Sequence, residues 1–268
     1  MRSRRFTGRL LCAVAAASLA LTASQPAMAW GKNGHRIVGE IASQYLSPQA
    51  KAAVVEILGS ESMAEAANYP DFMRASGDPF WEEQVYPWHW VTVPKGETYD
   101  EVGPPEEGDA VTGIAYFSDI LRDPDASLSD KQGALRYIIH AVGDLAQPLH
   151  NGNGTDRGGN QRQVNWFGKP TNLHSVWDSL MIEDQQLSYS EYAKLLEERL
   201  TPEEMREWAN PHPKAWVAEG TALRDTIYPE GDDLSYTYIF AHKAQMEGQL
   251  QRGGLRLAAY LNALYAPE

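Results

Sequence analysis

The chain has 268 residues with 36 acidic against 23 basic side chains, a formal net charge of −13 at pH 7 and one cysteine. That balance excludes a module that grips nucleic acid through a broad basic surface. It does not exclude a site whose positive charge arrives as bound metal, which supplies two charges per ion at one spot.

The first 29 residues read as a signal peptide. Arg2, Arg4, Arg5 and Arg9 make a basic start, Leu10 to Leu21 an apolar stretch, and Ala27-Met28-Ala29 a small-residue cleavage site. The apolar stretch is too short to span a membrane, so no membrane anchor is expected. Cys12 lies inside it after Leu11, which is not the small residue of a lipoprotein site. Cleavage after Ala29 leaves an exported protein that starts at Trp30, has no cysteine and forms no disulfide. Export without bridges points to the periplasm or to secretion. Residues 30–268 are long enough to bury one core and read as one domain.

Trp30-Gly31-Lys32-Asn33-Gly34-His35 opens the mature chain. Its free α-amine, with an unperturbed pKa near 8, and the Trp30 carbonyl can chelate a metal with His35 as a third ligand; alternatively the terminus frays and His35 is a surface residue. Helix is expected from Arg36 to Tyr45, and again after the Ser47 N-cap and Pro48 through Leu58, stopped by Gly59. Asp71 follows Pro70 and is either a helix cap or a ligand. Arg74 lies one turn on, as a surface ion pair or as a cation that stabilises charge on a phosphoryl oxygen. Tyr86 to Val93 reads as a short extended aromatic segment. In it His89 is either a packed core histidine or a ligand on an apolar wall, and Trp90 either core or a face for a stacked nucleobase.

Residues 94–109 read as a loop and 110–122 as helix, with Ser129 expected to cap the next long helix. That helix carries His140 and Asp144, four apart and so on one face. Pro148 ends it just before His150. The polar, glycine-rich segment 151–170 is expected to form a loop over the site, with Trp166 and Phe167 as stacking or staple residues. His174 and Asp178 repeat the four-residue spacing. Helical patterns then cover 190–199, Pro202 to Ala209, 214–226 and Tyr236 to Tyr265, whereas His212 and His242 are not expected to be ligands. The fold class is mainly α, with short extended segments.

Imidazole nitrogens and carboxylate oxygens converging from several elements suit Zn²⁺. The candidate ligands are Trp30, His35, Asp71, His89, His140, Asp144, His150, His174 and Asp178. A single catalytic zinc takes about three protein ligands, so this donor set suggests about three metals.

The order and spacing of these motifs resemble the trinuclear-zinc, single-strand-specific nucleases of the mung-bean and fungal kind. The resemblance rests on Trp30-Gly31 with Gly34-His35, Asp71 with Arg74, Trp88-His89, His140 and Asp144 with His150, the Gly158-Gly159-Asn160 loop, and Asn172-Leu173-His174 with Asp178. It covers Trp30 to Asp178. It implies a mainly α fold like that of zinc-dependent phospholipase C, with three Zn²⁺ in a cleft. One would be held by Asp71, His89, His140 and Asp144; a second by the Trp30 amine and carbonyl, His35 and a bridging Asp144; a third by His150, His174 and Asp178. Arg74 matches the transition-state arginine and, with Asp71, is expected at the reacting centre. Trp90 stands where an aromatic stacks a base, and Asn160 lies near that pocket. Thr92 replaces an aspartate that reads the base edge in fungal members, so the base preference of those members does not carry over.

The activity implied is hydrolysis of P–O3′ bonds in single-stranded DNA and RNA to 5′-phosphorylated products, together with release of phosphate from 3′-nucleotides; no stable protein partner is implied. A zinc-dependent phospholipase C is the rival enzyme. It carries glutamate as its last ligand and has a shorter span before the final histidine, so Asp178 and the long gap from His150 to His174 favour the nuclease. A zinc-scavenging protein is the rival outside enzymes.

Overall fold

The computed structural model describes residues 30–267, and the expected signal peptide lies outside them. The fold is mainly helical. Helix α1 (Lys32–Gln44) begins four residues earlier than expected, so His35 sits in its first turn rather than in a frayed terminus. The cause lies just upstream: Trp30 is fully buried and seats the start of the helix, and Gly31 N donates to Asp178 O at 2.7 Å. Helix α2 (Pro48–Leu58) has the expected start, with Ser47 Oγ accepting from Ala50 N and proline in its first turn, and Gly59 follows its end.

Two short helices, α3 (Met63–Ala66) and α4 (Tyr69–Met73), lead to the site. Asn68 is the N-cap residue of α4, and Asp71 lies within its first turn rather than capping it. The aromatic segment is not extended throughout. Tyr86–His89 forms a 3₁₀ turn, and only β1 (Val91–Thr92) is strand. Within the expected loop, Thr98 and Glu101 close a capping box on α5 (Tyr99–Val102).

Helix α6 (Ala110–Arg122) precedes α7 (Leu128–Ala146). The cap of α7 is Ser127, two residues before the expected Ser129; its hydroxyl accepts from Asp130 N at 3.1 Å. Every residue of α7 from Ile138 to Ala146 is buried. A helix buried all round stands at the centre of its domain, and here α1, α2 and α6 pack about it together with the later helices Pro213–Arg224 and Tyr236–Leu264.

After α7 the chain makes a 3₁₀ turn at Pro148–His150 and a short strand β2 (Asn151–Gly152). β2 pairs parallel with β1, Val91 opposite Asn151 and Thr92 opposite Gly152. This pairing carries weight for the site, because His89 precedes one strand and His150 the other. The segment 151–170 is therefore more than a solvent loop. Its second half forms a hairpin of β3 (Gln163–Trp166) and β4 (Lys169–Asn172), turning at Phe167-Gly168 with φ of 50° and 77°. Trp166 is buried in the core and Phe167 packs on Tyr236, so neither lines the cleft described below.

His174 lies in α8 (Leu173–Ser175), Asp178 in a π-helical turn (Val176–Leu180) that runs on into α9 (Met181–Glu183). Helices α10 (Tyr189–Glu197), α11 (Pro202–Trp208), α12 (Pro213–Arg224) and α13 (Tyr236–Leu264) complete the fold, with β5 (Asp233–Leu234) joining the hairpin beside β3. The buried Arg224 of α12 donates from one nitrogen, Nη1, to the carbonyls of Val93 (2.8 Å), Asn151 (2.6 Å) and Gly152 (2.9 Å), fixing the β1–β2 pair from behind. Among the described residues no helix is long and apolar enough to cross a membrane.

Candidate metal centre

Five histidines and three aspartates meet at one end of α7. They form three groups whose ligand atoms lie within 4.8 Å of one another: His35, His140 and Asp144; Asp71, His89 and His140; and His150, His174 and Asp178. The first two share His140. Asp144 turns its carboxylate between neighbours, with Oδ1 3.4 Å from His35 Nε2 and Oδ2 3.3 Å from His140 Nε2. Oδ1 is also 3.8 Å from His150 Nδ1, so this one carboxylate adjoins the third group as well. His174 Nε2 lies 3.0 Å from Asp178 Oδ2.

The tautomers follow from the hydrogen bonds. Nδ1 of His89 faces Tyr86 O at 3.0 Å, that of His140 Ala67 O at 2.7 Å, that of His150 His89 O at 2.6 Å and that of His174 Gly158 O at 2.6 Å. A carbonyl only accepts, so each Nδ1 carries a proton and each Nε2 points into the cluster. His35 follows a different pattern, with neither nitrogen hydrogen-bonded. Gln147 Nε2 donates to Asp178 Oδ1, while its Oε1 accepts from Leu149 N at 2.5 Å, so the end of α7 holds the last carboxylate in place.

Whether this set fits metal can be tested on its unsatisfied atoms. Nε2 of His35, His89, His140 and His150, Oδ2 of Asp71 and both oxygens of Asp144 are buried without a hydrogen bond. Each such group costs about 1–3 kcal/mol if left unmet. Their combined penalty rivals the about 5–15 kcal/mol that keeps a domain folded. Converging imidazole nitrogens and carboxylate oxygens fit divalent cations that prefer those ligands, zinc first.

The electrostatics agree. Burial pushes the Asp178 carboxyl up to about 7 and drives His150 down to about 3. Burial also opposes protonation of His140, but the adjoining Asp144 and Asp71 carboxylates outweigh it and leave the imidazole near 9. Burial works equally against ionisation of Asp144, yet His140 and His150 hold it well below the usual carboxylate range. Bound cations would favour the deprotonated form of all four groups and would draw off the protons that His140 and Asp178 otherwise keep.

Above the cluster lies a cleft of about 360 Å³ with His89, His150 and His174 at its base. Its walls include Arg74, Tyr86, Trp90, Thr92, Arg157 and Asn160. Arg74 Nη1 donates to Asp71 Oδ1 at 3.3 Å, and its guanidinium sits 4.7 Å above the Tyr86 ring, which meets Trp90 edge-on at 5.2 Å. Trp90 is half-buried, its ring available to the cleft. Asn160 Nδ2 donates to Arg157 O at 2.8 Å.

All eight side-chain ligand candidates are thus brought together, and Trp30 is buried at the foot of α1 beside them. Arg74, Trp90, Thr92 and Asn160 line the cleft. His212 stands before α12, and His242 packs on Tyr238 and bonds Gln245; neither belongs to the three groups. Sequence reasoning passed over Tyr86, Gln147 and Arg157. Only Arg157 carried a signal, a cation in a glycine-rich loop beside the ligand motifs.

Known proteins match the same span. The family model described as S1/P1 Nuclease matches residues 30–266. Endonuclease 2 of Arabidopsis thaliana is 30% identical over 266 residues, covering 88% of this chain and 90% of that protein. Nuclease P1 of Penicillium citrinum is 30% identical over 278 residues, covering 89% and 99%. Nuclease S1 of Aspergillus oryzae is 28% identical over 285 residues, covering 95% and 97%. With a family match over nearly all described residues and a buried His/Asp cluster beneath an aromatic-walled cleft, this chain belongs to the S1/P1 nuclease family and is a nuclease.

Proposed function

We propose that the chain is a zinc-dependent endonuclease specific for single strands, cutting P–O3′ bonds of DNA and RNA to leave 5′-phosphates and releasing phosphate from 3′-nucleotides. The observation that carries this reading is one cleft with ligand histidines at its base and a half-buried tryptophan on its wall. Asp71, His89, His140 and Asp144 would hold one zinc, and the Trp30 amine and carbonyl with His35 and Asp144 a second. His150, His174 and Asp178 would hold the third. Bound zinc supplies Lewis acidity and a water acidified to a pKa of about 7.

The chain's own residues do the rest. Asp71 and the Tyr86 ring fix the Arg74 guanidinium at the cleft wall, where it donates to a phosphoryl oxygen whose charge grows as water attacks phosphorus and the P–O3′ bond breaks. Trp90 offers a face to one unstacked base. A duplex must pay unstacking and unpairing, a few kcal/mol, before it can use that face, and a single strand escapes the pairing part. Export through cleavage after Ala29 belongs to the same proposal, since it creates the amine.

The test is an assay of mature, zinc-loaded protein on single-stranded and double-stranded DNA, a 3′-nucleotide and phosphatidylcholine. Turnover of the single strand and the 3′-nucleotide is expected, with the duplex slower by at least tenfold. Preference for phosphatidylcholine would transfer the site to phospholipid chemistry, and no turnover of any phosphoester would leave a zinc-binding protein.

A further inference from the structure

Arg157 lines the cleft, yet nothing in the metal chemistry requires it. It sits at φ +57°, a left-handed conformation that costs a non-glycine residue roughly 1 kcal/mol or more, whereas glycines occupy the similar conformations that follow at 158 and 159. The turn around it is firmly held. Asp156 Oδ1 accepts from Gly159 N at 3.0 Å, Asp156 O from Gln161 N at 3.0 Å, and Arg157 O from Asn160 Nδ2 at 2.8 Å. The next carbonyl, Gly158 O, accepts from His174 Nδ1. A Cβ at Gly158 would come within 2.3 Å of Leu149 O, so this peptide is pressed against the chain that carries His150. Arg157 is therefore anchored one residue away from a group that orients a ligand of the third metal group.

Its side chain contrasts with this rigid base. The residue is exposed, and among the described residues its guanidinium has no hydrogen bond, ion pair or ring contact. Arg74, the other arginine of the cleft, is tethered to Asp71 and Tyr86. In a chain of net charge −13 an unneutralised guanidinium facing the cleft stands out as an anion receptor. The scissile phosphate would be received by Arg74 and by the cations that the His/Asp groups would hold, so a strand's neighbouring phosphate is left for the second arginine.

We propose that Arg157 binds a non-scissile phosphate of the single strand, forming a subsite that favours polynucleotides over mononucleotides. This rests on the nuclease reading above. Arg157→Gln should raise KM for a single strand of about ten nucleotides roughly three- to tenfold. The ratio of that KM to the KM for a 3′-mononucleotide should rise at least threefold. The slope of log KM against log salt should fall by about 0.7, one phosphate contact on a single strand. Arg157→Lys should keep the slope. Arg157→Gly, which accepts the left-handed backbone freely, should lose it while melting within about 2 °C of the unmodified protein.

A KM ratio and slope equal to those of the unmodified protein would overturn the proposal, as would a Lys variant that behaves like Gln. If the unmodified protein turned over no strand, the nuclease reading would fail. Fluorescence anisotropy on a labelled phosphorothioate strand would still decide the role of Arg157, with equal Kd for the unmodified and Gln proteins refuting it.

Discussion

The imidazoles of His35 and His140 lie face to face, ring centroids 3.9 Å apart and planes 15° apart, although one belongs to the first helix and the other to the seventh. Two protonated rings could not stack this way at full burial. Asp144 bridges their Nε2 atoms, one oxygen toward each. Asp144→Asn keeps the shape and removes the charge. The expected outcome is loss of the metals nearest α1 and α4 with retention of the His150 group, and a fall in kcat of at least about 10³-fold, the scale of lost transition-state charge stabilisation. Elemental analysis beside single-strand turnover checks both parts.

Removing metal exposes the charge frustration of the cluster. In metal-free protein His140 is raised to about 9, so between its unfolded value near 6.5 and 9 the folded state holds the extra proton. That contribution is complete below about 6.5 and disappears as pH rises through 9. Chelated protein is therefore expected to melt lower at pH 9 than at pH 7. Zinc must displace this proton, whereas His150, held near 3, has none to release. Apparent zinc affinity of the His140 site should consequently rise about tenfold per pH unit from 7 toward 9. Calorimetric titrations in buffers of different ionisation heat measure the released proton directly.

Arg74→Ala removes the cation while leaving every ligand in place. A fall in kcat of about 10²–10³-fold with full zinc content is expected, the size of a lost oxyanion donor. Loss of zinc instead would mean that the Asp71–Arg74 contact holds the ligand rather than the substrate.

Retaining one additional residue before Trp30 leaves that nitrogen in an amide, which cannot ligate as an amine does. The proposed terminal site predicts severe loss of activity and of one zinc in such a protein. Full activity would remove Trp30 from the ligand set.

Packing makes a prediction independent of metal. A Cβ at Gly39 would lie 2.6 Å from Met63 O, and backbone cannot yield as a flexible side chain does. Gly39→Ala should force α1 from α3 and lower stability by about 1–3 kcal/mol, the usual cost of overpacking. Since α1 carries His35, urea denaturation and zinc content should fall together.

Much of the cluster was legible in the sequence because its candidate ligands come in short local units. His140 with Asp144 is a helix-face spacing. His174 with Asp178 has the same spacing, and their atoms meet even though a π-helical turn replaces the regular one. Such periodicity is a property of the backbone and needs no partner to be read. The start of α1 was not legible, because burial of Trp30 against distant chain extends the helix beyond its local signals. The hairpin after Gly158 was missed for a related reason: β3 takes its second neighbour from β5, far along the chain. The sequence by itself determined which side chains could ligate and how each local pair is spaced. Only the tertiary structure decided that β1 and β2 pair to set His89 beside His150, that Gln147 holds Asp178, and that Arg157 faces the cleft without a partner among the described residues. The reason is physical: a helical turn fixes neighbours within about four residues, while parallel pairing and loop placement depend on burial and hydrogen bonds contributed by remote segments.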